Sequence, residues 1–251
     1  MTLEQLLILL PAFFVVAGLY TSVGHAGASG YLAVMALLAV APETMRPTAL
    51  ALNILVASLT FYRFAGAGYF SWPALWPFLL GSVPLAALGG SMRLATSIYY
   101  LLAGVALALS AGVLAWRAYG RPPAEQPSDK ASIPIPPAIA CGAVIGLLSG
   151  LTGTGGGIFL SPIVLLAGWA GPRHTGGITA PFILANSAMA LLAGTATWAS
   201  LPAALPWLAL SVLAGGLAGT WLGLKWLSTR WLLAAMAVVL AIAAAKLILT
   251  D

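Results

Sequence analysis

Charged side chains are scarce in this chain of 251 residues: ten are basic, five are acidic, and together they make up 6% of the sequence. A soluble domain usually carries about 25% charged residues. The mean hydropathy is +1.04, and charge-free apolar runs of the length that a spanning helix needs, about 20 residues, recur from end to end. The composition excludes a soluble domain and predicts an all-α polytopic membrane protein.

Cysteine occurs once, as Cys141, which excludes an intramolecular disulfide and a cysteine-based metal cluster. A basic stripe is also lacking. The basic residues are scattered over loops and segment ends, where they orient a protein in a membrane. Nucleic acid is therefore not expected as a partner, and neither a metal nor a cofactor is expected.

Carboxylates are missing from the apolar segments, because all five lie at chain or segment ends or in loops: Glu4, Glu43, Glu125, Asp129 and Asp251. Many proton-coupled carriers relay protons through intramembrane Asp or Glu. The HExxH motif and the nucleophile elbow are absent, and no Lys and Ser/Thr follow the run TGTGGG, as a phosphate-binding P-loop would require. The sequence gives no support for an enzyme.

Ten apolar segments are present, five on each side of a polar stretch. We predict a first membrane repeat over residues 1–118, a cytoplasmic linker over 119–133 and a second membrane repeat over 134–251. The run near the N-terminus lacks a basic region and an obvious cleavage site, so it is expected to be a retained helix. The segments are 3–23, 28–40, 46–64, 72–92 and 96–117, then 134–150, 156–170, 175–198, 202–223 and 231–249.

The second segment of each half is short, at 13 to 15 residues, or about 20 Å of helix against a hydrocarbon core of about 30 Å. Each segment either spans with a tilt or re-enters, which gives 8–10 crossings. Ten crossings place seven basic residues on one face and three on the other, whereas eight crossings give five on each. The positive-inside rule therefore favours ten crossings, with both termini outside. Five crossings per half imply inverted repeats.

Two glycine-rich motifs interrupt the apolar runs, one in each half. Such breaks in corresponding positions point to a binding site between repeats. A helix that starts after each motif would direct its unpaired N–H groups back at it, which favours an anion. Close helix packing by small residues is the alternative, and we expect it for glycines elsewhere, such as Gly81, Gly89 and Gly215. The candidate residues are Gly24, His25, Gly27, Ser29 and Gly30, with Thr152, Thr154, Gly155, Gly156 and Gly157.

Asn53 and Asn186 lie in the middle of apolar segments at corresponding places. Their amides either contact a substrate oxyanion or form interhelical hydrogen bonds. Three charged or titratable residues precede these positions: Arg46, Arg173 and His174. They either attract anions as gate residues at the two ends of the transport pathway or are ordinary interfacial charges.

His25 is the candidate proton carrier, because imidazole ordinarily titrates near pH 6.5; a neutral structural histidine is the alternative. Coupling to sodium instead of protons stays open.

Four runs together resemble the TauE/SafE family of membrane permeases: VGHAGASGYLAVMALL, RPTALALNILVASLTFYRF, GLTGTGGGIFLSPIVLL and ITAPFILANSAMALLAG. The resemblance covers nearly the whole chain and implies a carrier of sulfite, organosulfonates, other sulfur compounds or small organic acids. Ala26 and Ala28 depart from a fuller glycine run, so the resemblance does not imply equal backbone coordination by the two motifs.

These observations predict a secondary transporter that moves a small anion, sulfite or an organosulfonate first, across the bacterial inner membrane by alternating access. The alternatives are an anion channel with the same pocket and a carrier of another small acid. The expected partners are the anion, the lipid bilayer and H⁺ or Na⁺ as a coupling ion. The sequence leaves open whether the chain forms a homodimer.

Overall fold

The computed structural model describes residues 2–22, 24–119, 133–223 and 229–249. The predicted linker 119–133 lies almost entirely outside these ranges. The described chain is helical, in agreement with the all-α prediction. Its helices are α1 (Leu3–Ser22), α2 (Ala28–Leu37), α3 (Pro42–Gly66), α4 (Trp72–Ser91), α5 (Thr96–Tyr119), α6 (Ile135–Thr152), α7 (Gly157–Leu166), α8 (Pro172–Ala193), a 3-10 helix (Thr195–Ser200), α9 (Leu205–Gly223) and α10 (Thr229–Leu249).

Six of these helices, α1, α3, α4, α5, α6 and α8, are long and apolar enough to cross a membrane. The outer surface carries large apolar side chains, among them Leu3, Tyr62 and Trp207, whereas hydroxyl and amide side chains such as Thr48, Asn53 and Asn186 are fully buried. Apolar groups outside and polar groups inside are the arrangement that a lipid environment favours, because lipid cannot hydrogen-bond a polar side chain. The protein is a multi-pass membrane protein.

The direction of each helix follows from its contacts. Gly81 and Gly89 of α4 lie against Ile139 and Leu147 of α6, so these helices run parallel. Helix α4 also runs parallel to α8, since Phe78 packs on Phe182 and Gly90, further along α4, meets Ala190, further along α8.

Helix α3 runs antiparallel to α8, because Asn53 hydrogen-bonds Ser187 while Phe64 packs on Gly176. These directions are those of a chain that reverses at every helix, α2 and α7 included. If α2 and α7 were instead re-entrant, so that the chain left each of them on the face where it had entered, α3 and α8 would run in the same direction.

The main helix contacts of the described residues map onto one another when the two halves are exchanged. The pair α1–α9 becomes α6–α4, α3–α9 becomes α8–α4, α2–α10 becomes α7–α5, and α2–α3 becomes α7–α8, and all of these pairs pack together. The pairs α3–α8 and α5–α10 map onto themselves. The helices of the two halves thus interlock around α3 and α8.

Three predicted helix ends are wrong by four residues or more. The seventh segment ends at Leu166 and not at 170. The third segment begins at Pro42 and not at 46, because proline at the first helical position starts the helix one turn earlier, and Arg46 therefore lies inside it. The eighth segment ends at Ala193 and not at 198, because the chain leaves the α-helix at Gly194 and continues as the 3-10 helix.

Candidate functional site

Each glycine motif forms a break between a long helix and a short one. In the first break Gly24 and Gly27 have φ of 85° and 101°, and in the second Gly153 and Gly156 have φ of 84° and 79°. These left-handed conformations are readily available only to glycine. The matched angles pair Gly27 with Gly156 as the residues before α2 and α7, so Gly157 corresponds to Ala28, two residues before Gly30.

The two breaks differ at one position. Gly155 also adopts a positive φ, of 75°, whereas Ala26, its counterpart in this register, does not. This is the place where the first motif departs from a fuller glycine run. The backbone of the second break is therefore turned differently from that of the first, and equal coordination by the two loops is not expected.

Helices α2 and α7 each have ten residues, or about 15 Å, and are preceded by a glycine that supplies no side-chain cap. Gly157, the first residue of α7, lies against Ile183 in the middle of α8. The positive end of the α7 dipole is thus directed at the middle of the molecule.

The second break is enclosed by residues from three long helices. Gly155 lies against the Asn53 amide and the Ser187 hydroxyl, and Gly156 lies against Ser149 and Phe182, with no room for a Cβ at either glycine. A side chain here would fill the space beside the two polar groups, so the glycines keep the main chain close to them.

The first break reaches the same region through a chain of hydrogen bonds. His25 Nε2 lies 2.8 Å from the Ser161 hydroxyl on α7, and that hydroxyl lies 3.1 Å from Thr179 Oγ1 on α8. His25 is buried and faces the edge of the Tyr20 ring. Gly24 touches Gly176 of α8. Both breaks therefore meet on one face of α8.

Several predicted residues have structural partners within the first repeat. Ser29 is hydrogen-bonded to the Tyr20 hydroxyl at 2.7 Å, and Gly27 lies against the Tyr31 ring. Gly30 packs against Val16 of α1 with no space for a larger residue. These contacts fix α2 on α1 and place Ser29 and Gly30 beside the break instead of inside it.

Thr152 and Thr154 stabilise the second break by contacts with each other. Their hydroxyls are 3.0 Å apart, and Thr152 Oγ1 also donates to the carbonyl of Leu148 at 2.7 Å.

Asn53 and Asn186 are both fully buried. Asn53 Nδ2 donates to Ser187 Oγ at 3.3 Å. Within the described residues, Asn53 Oδ1 and both amide atoms of Asn186 have no hydrogen-bond partner, and the same holds for the hydroxyls of Thr48 and Ser149. A buried polar atom without a partner costs about 1–3 kcal/mol. Asn53 and Ser149 lie against the second break, so these unpaired atoms indicate a place for a polar ligand in this part of the molecule.

The predicted mouth residues lie at opposite ends of the molecule, because α3 and α8 are antiparallel. Arg46 is buried and donates to the carbonyls of Gly89, Gly90 and Met92 at 2.6, 2.6 and 3.0 Å. It therefore caps the C-terminus of α4. Arg46 is thus a buried charge inside α3 and not a residue that precedes the helix.

At the other end, the Arg173 guanidinium donates to the Tyr69 hydroxyl at 3.0 Å and lies over the Tyr69 ring. His174 meets the edge of the same ring, with ring centroids 5.5 Å apart. Phe64 lies just inside this layer and touches both Gly24 and Gly176. This end is closed by aromatic rings, with a cavity of only about 80 Å³ between α1, α3 and α9.

Sequence reasoning missed Ser149, Ser161, Thr179 and Phe64. Ser149 and Ser161 are lone hydroxyls in apolar runs, and this was the available signal. Thr179 lies four and eight residues before Ile183 and Ser187, a helical spacing that places the three on one face of α8. Phe64 carried no signal, because an aromatic residue near a segment end is ordinary.

Comparison with known proteins agrees with this architecture. The family model described as sulfite exporter TauE/SafE matches residues 9–247. The chain is 41% identical over 237 residues to a probable membrane transporter protein, y4hK, of Sinorhizobium fredii (strain NBRC 101917 / NGR234), a match that covers 94% of this chain and 96% of the relative. No solved structure matches. The chain therefore belongs to the TauE/SafE family of membrane transporters.

Proposed function

We propose that the protein is a secondary transporter that moves a small anion, with sulfite or an organosulfonate as the first candidate, through a central site between the two helix breaks. The observation that carries this proposal is the set of buried amide and hydroxyl atoms without partners at Asn53, Asn186, Thr48 and Ser149. Asn53 and Ser149 lie against Gly155 and Gly156, just before the uncapped N-terminus of α7, and Asn186 lies in α8 next to Ser187, which also contacts Gly155.

The ligand class follows from the chemistry of this region. The described groups around the breaks are amides, hydroxyls, the imidazole of His25 and helix N-termini, none of which is negatively charged. Such donors suit an oxyanion. The description of the family as sulfite exporters supports sulfite among the candidates, and the sequence resemblance adds organosulfonates.

The helix contacts support two inverted repeats. Two helices related by a two-fold axis are antiparallel only when the axis is perpendicular to them. Helices α3 and α8, which the exchange of halves relates to each other, are antiparallel. An axis in the membrane plane would place the breaks symmetrically about the centre, which is the architecture of many carriers with alternating access.

The two ends of the molecule differ in a way that supports alternating access. A cavity of about 350 Å³ lies at the Arg46 end, whereas Phe64, Tyr69 and His174 close the other end. An open channel would need passages at both ends at once. Movement of Phe64, Tyr69 and His174 away from Gly24 and Gly176 would open the second entrance.

The experiment is counterflow in liposomes that contain the purified protein. Liposomes loaded with unlabelled isethionate or sulfite should accumulate the labelled anion transiently. Asn186→Leu should lower this uptake by roughly 10- to 100-fold, the equivalent of a lost hydrogen bond to a charged group. Ser58→Leu is the matched control, because Ser58 is an exposed polar residue of α3 whose hydroxyl donates to the carbonyl of Ile54 in the same helix.

The outcomes separate the alternatives. Flux without counterflow would favour an anion channel. Counterflow of a carboxylic acid but of no sulfur anion would keep the carrier and change the substrate class. Normal uptake by folded Asn186→Leu protein would refute the central site.

A further inference from the structure

The cavity of about 350 Å³ at the Arg46 end lies outside the central site. It forms where α3 and α5 begin and α4 ends, and its walls include Arg46, Arg93, Thr96, Tyr99, Glu43 and Ser200. Its volume is in the range of small-molecule pockets, about 300–1,000 Å³. We call this cavity the vestibule.

A buried positive charge lies in the wall of the vestibule. Arg46 is 8% exposed, and its three hydrogen bonds go to carbonyls at the C-terminus of α4 and to no carboxylate. A helix C-terminus carries only about half a negative charge, so a net positive charge remains. Arg93 adds a second cation, and Glu43 is the acidic side chain among the described wall residues. Glu43 and Arg93 are both exposed, so their interaction is screened by solvent.

Further donors come from helix ends and hydroxyl groups. Helix α5 begins at Thr96 and α3 begins at Pro42, and both residues line the vestibule. The first turns of these helices carry unpaired N–H groups and the positive end of a dipole. The hydroxyls of Thr96 and Ser200 add donors on the same wall.

The vestibule borders the second break without being part of it. Arg46 packs against Gly153, and the Tyr99 hydroxyl donates to the carbonyl of Thr152 at 3.4 Å. Arg46 and Tyr99 thus form a layer between the vestibule and the loop that leads to Asn53 and Ser149. An anion in the vestibule has this layer below it and solvent above it.

We propose that the vestibule is a second anion-binding site, in which a small sulfonate or carboxylate is held by Arg93, the first turn of α5 and the charge of Arg46 before it passes to the central site. This inference rests on the proposed transport of anions. Arg46 then has two roles: its guanidinium caps the C-terminus of α4 by hydrogen bonds, and its positive charge attracts the ligand.

The test uses a cysteine in the vestibule of the full-length protein. Thr96→Cys is introduced together with Cys141→Ala, since Thr96 is exposed and Cys141 is the one native cysteine. The cysteine is modified with the anionic sulfonatoethyl and the cationic trimethylammonioethyl methanethiosulfonates. For each reagent the rate of modification is measured, and the rate with the anionic reagent is divided by the rate with the cationic one. Divided by the same quotient for a free thiol, this ratio should exceed roughly 10 if the local charge is positive. Arg93→Gln should lower the ratio at least roughly threefold.

Two controls keep the result specific. Arg63→Gln, at the opposite end of α3, should leave the ratio unchanged. Arg46→Lys keeps the charge and should retain a ratio above that of Arg93→Gln. Isethionate should slow modification by the neutral methyl methanethiosulfonate, and it should do so equally in Asn186→Leu protein.

A ratio equal to that of a free thiol, or one that Arg93→Gln leaves unchanged, would overturn the vestibule site. Protection that disappears in Asn186→Leu protein would also overturn it, because the ligand would then bind only in the centre. Counterflow without protection at residue 96 would refute the vestibule and leave the transporter. Protection without transport of any anion would refute the proposed function instead.

Discussion

At the scale of single residues, the least usual feature is the set of buried amides and hydroxyls that have no partner in the described chain. Asn186 is fully buried with both amide atoms unpaired, and Asn53 has an unpaired carbonyl oxygen. Each such atom costs about 1–3 kcal/mol in a fold whose total stability is typically about 5–15 kcal/mol. Water or a ligand at these atoms would remove that cost, so occupancy of the site should stabilise the protein.

His25 carries the residue-scale prediction about pH. Imidazole ordinarily titrates near pH 6.5, and His25 lies in the first break, hydrogen-bonded to Ser161. A protonated His25 would attract an anion, so uptake should fall as the pH rises and His25 loses its proton. His25→Gln keeps a hydrogen-bonding side chain but does not titrate, and it should flatten the profile between about pH 5.5 and 7.5. Initial uptake rates across this range provide the measurement.

His174→Gln is the control for this experiment, because His174 is the other histidine of the chain and packs on Tyr69 at the closed end. It should leave the shape of the profile unchanged. An identical pH profile in the wild type and His25→Gln would rule out His25 as the proton carrier and turn attention to sodium.

At the scale of helices, glycines set how closely α4 and α6 approach. Gly142, Gly146 and Gly150 recur every four residues on α6 and lie against the carbonyls of Phe78, Ser82 and Ala86. Small residues at this spacing let backbones meet in a membrane, where helix association depends on close packing. The prediction that Gly81, Gly89 and Gly215 are packing residues is confirmed, since each lies against backbone of a neighbouring helix.

Gly146→Ala should destabilise the protein by about 1–3 kcal/mol, because the added methyl group would collide with the Ser82 carbonyl, which cannot move alone. The measurement is thermal unfolding in detergent. Gly112→Ala on α5 is the matched control, as none of the described residues lies within 4 Å of its added methyl group, and it should be neutral or stabilising by up to about 1 kcal/mol. Equal midpoints for the two variants would contradict this role of Gly146.

The helices could be predicted from the sequence to within a few residues, because proline, glycine and charge mark most of their ends. Their contacts could not. His25 and Ser161 are 136 positions apart, and Arg46 reaches carbonyls 43 to 46 positions away. Such pairs form only when several helices pack together. The sequence also predicted a segment end at Arg46, because a charge in an apolar run ordinarily marks the membrane interface. In the structure the carbonyls of α4 accept hydrogen bonds from the Arg46 guanidinium and allow it to be buried.

At the scale of the whole molecule, the arrangement in the membrane can be tested at the linker. Basic residues favour the end of the molecule that carries Arg63 and Arg173, and the positive-inside rule places that end in the cytoplasm. Gln126→Cys, in a Cys141→Ala background, should therefore resist a membrane-impermeant thiol reagent in intact cells and react once the membrane is opened. Reaction in intact cells would show that the protein has the opposite orientation. The vestibule would then face the cytoplasm, and the end that Phe64, Tyr69 and His174 close would face the outside.

The short helices have an electrical consequence. Helix α2 ends at the face where its Leu37 and Leu38 carbonyls accept bonds from Lys246 and Gln5, while α7 extends in the opposite direction from the middle of α8. If water fills the entrances on both sides of α2 and α7, only a thin water-free layer of protein separates the two entrances. The membrane potential, worth about 2.3 kcal/mol per elementary charge at 100 mV, would then fall mainly across the few ångströms around Asn53 and Asn186. Voltage would act on the anion chiefly as it passes these two side chains.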